Sequence, residues 1–196
     1  MPTFYLIRHG SNDFVGKRIA GWLPDVHLNA EGRAQAGRLA HRLAGCGITR
    51  LYTSPLERAR ETAEPIGEAL GLDAVVRENL GEVRYGEWTG KTIRELEDDP
   101  RWQLYNTYRS ATRPPGGETM LDCQQRILAE LGCLARMHPG ETVAVVSHGD
   151  IIRAALLYWL GMAIDLVQRL EVRVASVSVA RVEDTSVVVK GIGWDD

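Results

Sequence analysis

Two apolar runs, far apart in the chain, end in the same way. Thr3–Arg8 (TFYLIR) leads into His9-Gly10, and Thr142–Val146 (TVAVV) leads into Ser147-His148-Gly149, with 139 positions between the two histidines (148 − 9). A continuous apolar run of about 4–8 residues with glycine at its boundary is the pattern of a strand buried on both faces of a parallel sheet. A sheet of this kind needs helices on both faces, and ligands bind outside the carboxyl ends of its strands. The two imidazoles can therefore face one site. Taken singly, either histidine reads as a polar strand-end residue satisfying a loop carbonyl. The repetition is what points to chemistry.

The intervening pattern supplies the covering helices. Asn29 is placed to cap a helix from Ala30 to about Ala44, with Ala34, Leu39, Ala40 and Leu43 on one face and Gly45 and Gly47 beyond its end. A short strand, Arg50–Thr53, follows. Ser54 as N-cap and Pro55 at the first helical position then open a helix to about Leu70, stopped by Gly71. Between Gly81 and Gly117 the pattern weakens to two helical pieces, Thr92–Asp98 and Arg101–Arg109, before the turn Pro114-Pro115-Gly116-Gly117. Glu118–Met137 and Asp150–Leu160 are again helical. Val174–Val182 and Ser186–Ile192 alternate like a closing hairpin with Glu183-Asp184-Thr185 at its turn. The expected fold is a three-layer α/β/α sandwich with a mostly parallel sheet, helices on both faces and a small helical cap inserted at about 90–118. At 196 residues the chain suits a single domain over 1–196.

Composition narrows the function. Hydrophobic residues make up 44% and charged residues 25%, as in ordinary globular proteins. A net charge of −3 argues against general attraction to nucleic acid or anionic lipid, so any anion site must be local. The amino terminus, MPTFYLIRHG, reads directly as a strand and lacks the features of a secretory signal. The most apolar stretch, Ile151–Val167, is interrupted by Arg153 and Asp165, short of the ~20 apolar residues that span a bilayer. A cytoplasmic location without membrane contact is expected. Cys46, Cys123 and Cys133 form no CxxC pair and read as reduced, buried thiols. His27, His41 and His138 have no carboxylate or cysteine at metal-ligand spacing and read as surface or capping residues, so neither metal nor cofactor is expected.

Arg58 sits early in its helix, in SPLERARET, where guanidinium, backbone N–H groups and helix dipole can converge on an anion. A surface ion pair with Glu57 or Glu61 is the plainer reading of such a residue. Arg8, beside His9, adds a planar fork of donors suited to phosphate oxygens, whereas Arg60 projects elsewhere, toward the surface.

These positions resemble the histidine phosphatase superfamily, the phosphoglycerate mutase-like enzymes, over nearly the whole chain. The matching segments are Leu6-Ile7-Arg8-His9-Gly10, TSPLERARETA around Arg58, LGEVRYGEWTG around Glu82 and VVSHGDIIRAAL around His148. The resemblance implies that His9 is the phosphorylated nucleophile, that Arg8, Arg58 and His148 hold the phosphoryl oxygens, and that Glu82 is the proton donor. The residues alone do not separate Glu82 from Glu78 and Glu87. The chemistry suits those roles: two arginines keep the His9 lone pair available, and with a protonated His148 they stabilise the transferring phosphoryl group without a metal. Many relatives read RHGET or RHGES and carry an asparagine six residues after the histidine, where this chain has Ser11 and Val15. Ser11 or Asn12 is then expected to supply the missing donor. Arg18, in the segment Arg18–Trp22, together with Gly21 and Gly149, completes the expected substrate-binding set.

The expected activity is hydrolysis of a small-molecule phosphomonoester through a phosphohistidine. The nearest rival is a mutase, which returns the phosphoryl group to a bound sugar acid. Mutases of this type carry a longer shielding insertion, whereas only 25 residues, Lys91–Pro115, separate Gly90 from Gly116 here. A non-catalytic phospholigand-binding module is disfavoured by intact His9, Glu82 and His148, and acyl transfer by Ser147 lacks a G-x-S-x-G elbow. Trp22, Tyr85, Trp88, Trp102, Tyr105 and Tyr108 could form an aromatic rim or pack in the core, and Arg101, Arg109 and Arg113 could grip a second anionic group. The sequence leaves a homodimer open.

Overall fold

The computed structural model describes residues 1–183 and 185–194. Six strands, β1 (Thr3–Arg8), β2 (Arg50–Thr53), β3 (Ala74–Val76), β4 (Thr142–Ser147), β5 (Val177–Val182) and β6 (Val187–Trp194), form one sheet in the order β3-β2-β4-β1-β5-β6. β3, β2, β4 and β1 run parallel; β5 and β6 are antiparallel to their neighbours. The helices are α1 (Ala30–Leu43), α2 (Glu57–Leu70), α3 (Ile93–Leu96), α4 (Pro100–Thr107), α5 (Met120–Met137) and α6 (Gly149–Trp159). The mixed α/β fold expected from the sequence is present.

The central strands show why their sequences are continuously apolar. Along β4, Val143 and Val145 enter the core beneath α5 and α6, while Ala144 and Val146 enter the core beneath α1 and α2. β1 divides likewise, Phe4 and Leu6 to one face and Ile7 to the other.

The local expectations need several corrections. On α1 the buried face uses Gly32 and Ala36 with Leu39, Ala40 and Leu43, and Ala34 is exposed, because the helix turns the loop-contacting edge of its first turn inward. α2 starts at Glu57, with Leu56 as its unassisted N-cap; Ser54 is not the cap, its hydroxyl being 2.7 Å from His148 Nε2. Of the three free cysteines only Cys123 is buried. His27 and His41 are exposed and His138 caps α5, as expected, though His138 is buried, with Nε2 2.6 Å from the Tyr52 hydroxyl. The closing hairpin is present as β5 and β6, though the expected turn residue Asp184 lies outside the described residues.

Between strands and cap, two short helices occupy the region where two helical pieces were expected. α3 carries a capping box from Thr92 and Glu95, and α4 starts at Pro100 after the Asp99 cap. Trp88 and Tyr105, both fully buried, pack edge-to-face at 5.4 Å and join this region to the core. Those aromatics are therefore packing, not a rim.

One close approach fixes the loop after β1. An added Cβ on Gly32 would lie 2.0 Å from the Ser11 carbonyl oxygen, so α1 seats directly on the backbone that follows His9 and Gly10. Gly32→Ala must push that loop away. A loss of about 1–3 kcal/mol in unfolding free energy is expected, with a fall in any activity that depends on His9. Thermal unfolding and turnover measured on the same preparation check this, and wild-type values for both would contradict it.

Candidate active site

Three neighbouring strand ends deliver the site. Arg8 pairs in register with Ser147, so His9 and His148 leave adjacent strands together, and the His9 N–H donates to the Ser147 carbonyl at 3.0 Å. On the other side of β4, Thr53 pairs with Val146, which puts Ser54 and the start of α2 beside His148. The two imidazole centroids are 5.1 Å apart.

His9 is buried, and its Nδ1 donates to the Gly10 carbonyl at 2.7 Å. A carbonyl only accepts, so that nitrogen carries the proton and Nε2 keeps its lone pair. Burial, then Arg58, then Arg8 hold the ring well below the usual histidine range. Arg58 is only 1% exposed; its Nη2 donates to the Gly21 carbonyl at 2.8 Å, and its Nη1 has no partner among the described residues. Arg8 donates through Nη1 to the Val172 carbonyl at 2.8 Å and likewise keeps Nε unpartnered. A Cβ on Gly149 would lie 3.1 Å from the Arg8 guanidinium, so any larger residue at the start of α6 would press on that side chain.

His148 is fully buried and held far below its ordinary value by burial first, then by Arg58, His9 and Arg8. In the resting site, burial and the two arginines therefore favour a neutral ring, against the protonated His148 expected from the sequence. Its Nδ1 lies 3.9 Å from Glu82 Oε2 and has no hydrogen-bond partner among the described residues.

Glu82 is pushed up to about 7, by burial first and by Asp150 next, against the pull of Arg58 and of the Val83 N–H that donates to Oε1 at 2.9 Å. Asp150 accepts from Arg109 Nη1 at 2.7 Å, Tyr85 at 3.0 Å and Arg153 Nη1 at 3.0 Å. Burial alone would raise its carboxyl; Arg109 and Arg153 reverse that and hold it ionised.

Arg8, His9, Arg58 and Glu82 wall a cavity of about 160 Å3, which Asn12, Arg18, Gly21 and Gly149 also line. Ser11 does not. Its N–H donates to Gln35 and its carbonyl accepts from Asn29, which ties it to α1. None of the arginines that could grip a second anionic group lines the cavity, Arg101 pairing with Asp99, Arg109 with Asp150 and Arg113 with Asp122. Ser147 Oγ donates to the Leu80 carbonyl, away from His148. A larger groove of about 680 Å3 lies along α2 and β3, but Glu57, Glu61, Glu64 and Glu68 line it and would repel a phosphate ester. Among the described residues no cluster of His, Cys, Asp and Glu could hold a metal ion, and no helix is long and apolar enough to cross a membrane.

The model of the histidine phosphatase superfamily, branch 1, matches residues 4–195. The chain belongs to that superfamily. Phosphoryl transfer through a phosphohistidine is general to it. A probable phosphoglycerate mutase, GpmB of Escherichia fergusonii, is 33% identical over 181 residues, 91% of this chain and 84% of that one. The structure of Bacillus stearothermophilus YhfR superposes with a TM-score of 0.92 at 30% identity, covering 98% of this chain and 97% of that one. Mycobacterial glucosyl-3-phosphoglycerate phosphatase Rv2419c, solved with VO3, gives a TM-score of 0.88 at 28% identity and covers 98% of each chain.

Several residues of this superfamily member's site escaped the sequence reading. Thr62 accepts from the Gly10 N–H at 3.0 Å and donates to the Arg58 carbonyl, locking the nucleophile loop onto α2. Its position four residues after Arg58, on a helix face otherwise made of Ala59, Ala63 and Ile66, was a legible signal. Tyr85, Asp150 and Arg153 also line the cavity, and Asp150 stands out as the one acid in the first turn of an apolar helix.

The raised Glu82 carboxyl has a stability consequence. Between pH 4.5, its ordinary value, and about 7, the unfolded chain releases this proton while the folded chain keeps it. Stability conferred by the neutral carboxyl is thus fully present below 4.5 and lost as pH rises through 7, at up to about 1.4 kcal/mol per pH unit. Relative to Glu82→Gln, the wild type should lose stability across that window and level off above it. A pH-independent difference in unfolding free energy would mean an ordinary, solvated carboxyl.

Proposed function

We propose that this chain hydrolyses small phosphomonoesters through a phosphohistidine on His9. One observation carries the reading: two buried donors, Arg8 Nε and Arg58 Nη1, and the ring nitrogen His148 Nδ1, all without a partner among the described residues, lie about a histidine whose Nδ1–H bond to Gly10 leaves Nε2 as a nucleophile. Such a cluster of donors suits a phosphoryl dianion, and fixed positive charge meets the charge on its equatorial oxygens in the transition state.

In the first step Nε2 of His9 forms the N–P bond as the ester P–O bond breaks, and the neutral Glu82 carboxyl gives its proton to the leaving oxygen. In the second, water attacks phosphorus, Glu82 takes the proton of that water, and the N–P bond breaks to return neutral His9. A carboxyl near pH 7 serves both steps, acid first and base afterwards.

Hydrolysis is favoured over return to a bound acceptor because no residue from Lys91 to Pro115 lines the cavity, leaving the phosphohistidine open to water. The vanadate-bound relative is named a phosphatase of glucosyl-3-phosphoglycerate, which supports phosphorylated sugar acids as first substrates to try. The relative named a probable phosphoglycerate mutase supports the second reading, isomerisation.

A panel of phosphomonoesters including 3-phosphoglycerate, assayed in EDTA for inorganic phosphate and for isomerised product, tests the assignment. Phosphate release exceeding isomerisation is expected, with His9→Ala slower by roughly 10³-fold or more while still folded. Isomerisation faster than release from every ester, or a His9→Ala protein of wild-type rate, would overturn it.

A further inference from the structure

The proton on His148 has to be placed by its surroundings, and the hydrogen-bond inventory around Ser54 places it. Ser54 is fully buried at the end of β2, where its N–H donates to the Val146 carbonyl at 2.9 Å. Its hydroxyl has two neighbours: the Leu56 N–H, which donates to Oγ at 3.3 Å, and His148 Nε2 at 2.7 Å. A serine hydroxyl offers one hydrogen and can accept twice. Were Nε2 protonated, Oγ would receive two N–H groups, and its own hydrogen would have no acceptor among the described residues. With the hydroxyl donating to Nε2 instead, Oγ accepts from Leu56 and donates to the ring, so the hydroxyl, the Leu56 N–H and Nε2 are all paired. Buried polar groups adopt the paired arrangement.

We propose that Ser54 is a positioning residue that fixes the proton of neutral His148 on Nδ1, so that the ring presents an N–H donor to the transferring phosphoryl group. This rests on the phosphoryl-transfer reading of the site. Nδ1 is the nitrogen that lies 3.9 Å from Glu82 Oε2, on a ring with no exposure, and it has no partner among the described residues. In the other tautomer the same nitrogen would turn a lone pair toward phosphoryl oxygens and repel them. Ser54 thereby lets an uncharged ring do what a protonated one would do, in surroundings where Arg8 and Arg58 oppose a third cation. It also gives a role to a serine that precedes a helix and yet does not cap it: its hydroxyl is turned to a ring 94 positions away.

The proton position is read directly from histidine-labelled protein by long-range proton–nitrogen correlation near neutral pH, with His148 assigned by the signal missing in His148→Gln. A pyrrole-type Nδ1 and a pyridine-type Nε2 are expected; the reverse pattern overturns the proposal. In Ser54→Ala, folding being checked by its amide spectrum, the ring should pass to the Nε2–H form or to a mixture, and vanadate binding and kcat should each fall about tenfold or more. Unchanged ring signals in Ser54→Ala, or vanadate bound as tightly as by the wild type, would also refute it. If that variant does not fold, the wild-type spectrum decides alone. Because the ring is observed in the resting protein, this result is independent of whether His9 proves to carry a phosphoryl group.

Discussion

The site depends on one backbone register. β1 and β4 lie side by side with Arg8 opposite Ser147, and the His9 N–H closes on the Ser147 carbonyl as the strands end. A shift of one residue would turn Ile7 and Val146 from the core beneath α1 and α2 to the opposite face, so hydrophobic burial on both faces holds the register. The pairing of β2 with β4 extends the same constraint to Ser54 and the start of α2. Two imidazoles and a guanidinium converge because three buried strands stop together.

That convergence sets the electrostatics. Burial and the two arginines make a third and a fourth cation unfavourable, so both histidines are held neutral. Their neutrality is useful for different reasons: His9 needs a lone pair, and His148 needs only a correctly placed N–H. Glu82 stands under opposing influences, with burial and Asp150 outweighing the arginines, which is how a carboxyl beside two guanidinium groups still titrates near 7. Asp150 can exert that influence because Arg109 and Arg153 keep it ionised. Arg109 follows α4, so the segment from Lys91 to Pro115, although it does not line the cavity, reaches the site's proton chemistry through one buried ion pair.

Much of this was legible in the sequence for physical reasons. Strands buried on both faces are apolar throughout, and His9 and His148 stand where such runs meet glycine. Arg58 was visible through its place near a helix start. Glu82 was not separable from Glu78 and Glu87 except by resemblance to a family, since its distinguishing property is burial among residues distant in sequence. Ser54 was misread as a helix cap because local propensity favours that role, and a tertiary hydrogen bond to His148 prevailed. β3 was missed because its three exposed residues pair on one edge only and carry no periodicity. The aromatic residues between Tyr85 and Tyr105 could not be divided between rim and core before their packing was known, and only Tyr85 reaches the cavity.

The claim on which the rest turns is that the phosphoryl group passes through His9. Rapid-quench reaction with a phosphomonoester labelled at phosphorus, followed by digestion and peptide mapping under alkaline conditions, observes that intermediate directly. The account predicts an acid-labile, alkali-stable phosphoryl group on the peptide containing His9, forming and decaying fast enough to sustain turnover. Label on any other residue, or phosphate released in a single turnover with no phosphoprotein at any time, would contradict it.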